Sequence, residues 1–122
     1  VAPAEAAGKF NWTRIVTYRG ALTGACVEVS DGRAIVWFRH DASKAKAKGK
    51  SRSTVEVNPG DGWSALVSST WLKRGKRSGA KAALPSFDID EIKDVAVRAS
   101  IETRSGKKKR KVVAAQSLTG CR

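Results

Sequence analysis

The sequence predicts an all-β fold: a single-domain antiparallel β-sandwich or barrel of seven to eight short strands, with one short helical turn near residues 88–94. Three observations predict it. Apolar residues recur at period two in short segments, and no segment sustains the three-to-four-residue period of a helix. Turn formers rich in Gly, Asp and Pro separate these segments. The chain has 122 residues and is 41% apolar, enough for one core and one domain, at 10–122, behind a flexible leader at 1–9.

Phe10–Arg19, FNWTRIVTYR, is dense in β-branched and aromatic residues and reads as the first strand. Gly20 and Gly24 bracket a turn. Ala25–Ser30 then alternates, with Ala25, Val27 and Val29 on one face and Cys26, Glu28 and Ser30 on the other. Asp31-Gly32 tolerates the positive φ that a tight hairpin needs at both central positions, so Arg33–His40 returns as the second arm. Thr54–Val57 is a short strand, and Asn58–Gly62 is a turn.

Trp63–Leu72 alternates along its whole length, which predicts a long strand with Trp63 and Trp71 in the core, as for Trp37; Trp12 is the tryptophan expected at the surface. Ala82–Ser86 supplies a further strand, which Pro85 keeps from a central position. Asp88 and Glu91 suit the cap of a helical turn. Val95–Thr103 alternates with Val95, Val97, Ala99 and Ile101 inward. Arg104–Lys109 is a turn and Arg110–Leu118 the last strand.

The net charge is +13, and its distribution is uneven. Three runs hold 15 of the 24 Lys and Arg residues and none of the 11 acids, so the remaining scaffold is nearly neutral. The first run is Lys44, Lys46, Lys48, Lys50 and Arg52; the second is Lys73, Arg74, Lys76, Arg77 and Lys81; the third is Lys107, Lys108, Lys109, Arg110 and Lys111. The first cannot enter a core and reads as a solvated loop, and the third reads as a hairpin tip. Connections in an antiparallel chain alternate between the two ends of a sheet. Provided Ala82–Ser86 is a strand, all three runs fall at one end and the Asp-bearing turns at the other.

Such runs often serve only solubility and edge protection. Three of them with no acid inside favour a binding module for a polyanion: an acidic polysaccharide, a phosphate-bearing wall polymer or nucleic acid. The alternative is an interaction or inhibitor domain that inserts one basic loop into an acidic cleft of a partner protein. Catalysis finds no support. His40-Asp41 is the one His–carboxylate neighbour pair, and no nucleophile motif accompanies it. Asp88, Asp90, Glu91 and Asp94 cluster without the spacing of a calcium loop, so no metal and no cofactor are expected.

Cys26 and Cys121 stand alone, which excludes a CxxC metal or redox site and predicts one disulfide. No apolar stretch is long enough to span a membrane as a helix. The first residues, VAPAEAA, contain small-x-small patterns of the kind left at export-processing sites, so a secreted or extracellular location is expected.

Overall fold

A computed structural model describes residues 10–46 and 48–122. The leader at 1–9 lies outside the described residues. Among the described residues eight strands form two four-stranded antiparallel sheets. The first sheet has the order β1 (Thr13–Tyr18), β2 (Ala21–Ser30), β3 (Arg33–Asp41) and β6 (Lys81–Asp88). The second has the order β5 (Val67–Ser68), β4 (Ser51–Asn58), β7 (Ala96–Thr103) and β8 (Lys108–Ala114). Two short 3-10 turns, Ile89–Asp94 and Ala115–Ser117, follow β6 and β8.

Period-two alternation decides which faces meet. Ala25 and Val27 on β2, Val36 and Phe38 on β3, and Ala83 and Phe87 on β6 point from the first sheet into one buried cluster. Val55 and Val57 on β4 meet them from the second sheet, with Val97, Ala99 and Ile101 on β7. Two sheets each buried on one face make a sandwich, and burial of these apolar side chains is its main source of stability. The β2–β3 hairpin closes through Asp31 (φ 51°) and Gly32 (φ 75°), both left-handed as a tight hairpin requires.

Cys26 points out of this core, as its place in the alternation indicates. On the outer face of the first sheet it joins Phe10, Trp37 and Cys121 in a second small apolar cluster. The Cys26–Cys121 disulfide is formed, linking positions 95 apart in sequence with their Cα atoms 5.0 Å apart. The tail also pairs with β2: Val27 N–H donates to the Thr119 carbonyl and Cys121 N–H to that of Val27.

Several boundaries differ from the sequence expectation. Trp63–Leu72 is not a long strand; only Val67–Ser68 pairs with β4, through Val55 and Thr54. Extended chain alternates its side chains whether or not a neighbour accepts its hydrogen bonds, so alternation alone overstated the strand. β4 begins at Ser51, inside the first basic run, and β8 begins at Lys108, inside the third. The hairpin tip is therefore Arg104–Lys107, and most of the third run is strand. Pro85 sits in β6, an edge strand, where the register shifts between the Ala83 and Phe87 pairings with β3. The Asp88 side chain caps no helix; it pairs with Arg33 at 2.9 Å. Among the described residues no helix is long and apolar enough to cross a membrane.

Candidate polyanion-binding end

Strand polarity places the β1–β2 turn and the β3–β4, β5–β6 and β7–β8 connections at one end of the sandwich. Lys44, Lys46, Lys48, Lys50, Lys73, Arg74, Lys76, Arg77 and Lys107 lie in these connections. Arg19 and Arg104, isolated bases in the β1–β2 and β7–β8 turns, join them; no charge run marked either in the sequence, though both fall in connections of the same parity. Asp31, Asp61, Asp88, Asp90, Glu91 and Asp94 lie at or near the opposite end.

The basic connections are stitched together through their backbones. Gly75 N–H donates to the Ala42 carbonyl and Ala42 N–H to that of Lys76, each at 2.8 Å. Lys46 N–H donates to the Arg19 carbonyl at 2.8 Å, and Arg104 N–H to that of Lys50 at 3.2 Å. Gly20 (φ 84°) makes the close approach of the first run possible. A Cβ there would stand 2.1 Å from the Lys44 carbonyl oxygen, a distance no side chain tolerates.

Beside this contact lies a pocket of about 400 Å³ lined by Arg14, Lys44, Lys46 and Arg77 over Gly20 and Leu22. Arg14, on β1, is a strand residue that the run pattern did not single out. The acid within reach is Asp41, itself buried. Its carboxylate accepts the Ser43 N–H at 2.9 Å and the Arg77 Nε–H at 3.1 Å. Burial opposes its ionisation, but the hydrogen bonds from Ser43 and the Arg77 charge prevail and hold its pKa below the ordinary aspartate value. Asp41 thus anchors Arg77 at the pocket rim.

His40, next to it, has no exposed surface. Its Nδ1 bonds the Ser53 hydroxyl at 2.7 Å and its Nε2 the Ser51 hydroxyl at 2.8 Å, while Ser53 bonds Thr23 at 2.6 Å. Burial pushes its pKa down to about 4, against the attraction of Asp41, so the ring is neutral at pH 7. It joins the two sheets beneath the basic end and has no access to solvent.

The remaining bases of the runs lie elsewhere. Arg52 pairs with Glu102 across β4 and β7, and Lys81 opens β6. Lys108, Lys109, Arg110 and Lys111 continue along β8, away from the end. There Lys109 and Lys111 lie opposite Ile101 and Ala99, on the face that is buried in β7, yet both are exposed because β8 is an edge. Inward-pointing lysines on an edge strand discourage pairing with another sheet.

Trp63 and Trp71 also correct the expectation: they are half-buried outside the core, with the Arg98 guanidinium 4.1 Å from the Trp63 ring centre and that of Arg52 4.5 Å from the Trp71 ring. Trp12 is half-buried against Phe10. Among the described residues no group of three or more His, Cys, Asp or Glu side chains is placed to hold a metal ion. No protein-family model, curated protein or solved structure matches this chain.

Proposed function

We propose that this protein binds a polyanion through the end formed by its basic connections. One observation carries the reading: backbone hydrogen bonds fuse the connections into a single cationic surface, and Asp41, the acid that lines its pocket, is buried beneath Arg77. Loops within a Debye length of one another add their potentials, and a surface fixed by its backbone loses little entropy when it binds. Lys and Arg tips contact charged groups and leave sequence or sugar identity largely unread, so affinity is electrostatic and tolerant of shape. The disulfide supports action outside the reducing cytosol, in a secreted or extracellular setting.

Heparin and duplex DNA, titrated over a range of salt, test the reading. The logarithm of the binding constant falls linearly with the logarithm of salt, with a slope on DNA of about −4 to −7 for five to eight contacted phosphates. Failure of both polymers to bind at low salt overturns it.

A further inference from the structure

The outer face of the second sheet carries a groove of about 380 Å³ that the basic end does not use. Its floor is a row of hydroxyls. Thr54 on β4 stands opposite Ser100 on β7 and shares a 3.0 Å hydrogen bond with Ser68 on β5. A cross-strand ion pair borders the row on each side: Arg52 with Glu102, and Arg98 with Glu56 at 2.7 Å. The indoles of Trp71 and Trp63 pack on these two arginines. Lys108 and Arg110, exposed on β8, form the last wall.

Folding does not explain this arrangement. The attraction within a partly buried ion pair is largely cancelled by the cost of drying both charges, so apolar cross-strand pairs would hold the strands as well. The pairs do fix four polar side chains in place. Each bonds through arginine Nε and glutamate Oε1, which leaves the terminal guanidinium nitrogens and the second carboxylate oxygens to meet a ligand. The groove thus alternates donors, acceptors and hydroxyls beside the exposed apolar side chain of Leu66, and Lys108 and Arg110 add two charges beyond the two neutral ion pairs. A pyranose ring offers the matching surface, an apolar C–H face rimmed by hydroxyls. A phosphodiester strand of DNA brings charge without hydroxyl donors for Glu56 and Glu102.

We propose that this groove binds an acidic oligosaccharide, with ring hydroxyls on Thr54, Ser68 and Ser100 and sugar carboxylates toward Lys108 and Arg110. The inference stands on residues apart from the basic connections and holds or fails without them.

Hexagalacturonate is the probe, followed by tryptophan fluorescence and calorimetry at about 0.3 M salt, where screening within about 6 Å suppresses the long-range attraction of the basic end. Saturable binding is expected. The nearly isosteric Thr54→Val combined with Ser100→Ala should weaken it about tenfold, as loss of two hydrogen bonds implies. Trp63→Ala, which removes the indole packed on Arg98, should weaken it as well, with melting curves confirming that each variant folds. Lys44→Ala with Lys46→Ala should leave it unchanged while weakening heparin at low salt, which separates this groove from the basic end. Absence of hexagalacturonate binding, equal binding by the Thr54/Ser100 variant, or displacement of the sugar by oligothymidylate overturns the proposal.

Discussion

His40 carries a consequence in its protonation. In the unfolded chain its pKa is the ordinary 6.5, and in the folded protein burial pushes it down to about 4. Between those values the unfolded state binds a proton that the folded state refuses, so stability falls as pH drops through that window. The full loss is about 3 kcal/mol, since each pK unit corresponds to about 1.4 kcal/mol. Asp41, whose folded pKa is depressed, loses its contribution only at lower pH, as acid protonates it. Melting temperature followed from pH 7 downward should therefore decline first in the histidine's window, and His40→Gln should flatten that part of the curve whatever its absolute stability. An unchanged curve in the variant rules the assignment out. Gly20 offers a second test at this scale. Gly20→Ala places a Cβ against the Lys44 carbonyl at φ 84°, so it should cost more than about 1 kcal/mol and displace the first basic run, weakening heparin binding as well as lowering the melting temperature.

Among the elements, the C-terminal tail is held to β2 by the disulfide and by backbone bonds at Val27, on a face separate from the main core. Reduction should lower the melting temperature by a loss of at most about 5 kcal/mol, the entropic value for so long a loop, while the circular dichroism of the sheets persists. Collapse of the sheets on reduction would show that the tail is part of the core. The elements also show where sequence suffices. Alternation plus a turn of fixed chemistry located the β2–β3 hairpin and the inward face of β7, because side-chain direction and turn conformation are local properties. Strand length at 63–72 and the start of β8 were not legible, because both depend on whether a distant strand accepts the hydrogen bonds. Trp63 and Trp71 were misplaced for a related reason: an indole is covered equally well by a guanidinium as by a core, and nothing local distinguishes the two. The basic end was legible because parity needs only the number of strands, and Pro85 on an edge did not change that number.

For the whole molecule, cationic connections gather at one end and six acids at or near the other, so the protein has a direction in an electric field. A polyanion should approach by the basic end, and each cation that touches it should contribute to the salt slope. Neutralising Lys44, Lys46 and Lys48 to Ala, or Lys73, Arg74 and Lys76 to Ala, should each reduce the slope on DNA by about 2–3. The two sets share one hydrogen-bonded surface, so the reductions should be similar and together additive. Neutralising Lys108, Lys109 and Lys111 removes the same charge from β8, which runs away from that end, and should change the slope by less than either. Net charge alone predicts three equal effects, and an inhibitor loop predicts that one set abolishes binding while the others do nothing. A third set as large as the first two would show that the polymer follows the edge strand, so the site would be the flank of the sandwich and not its end.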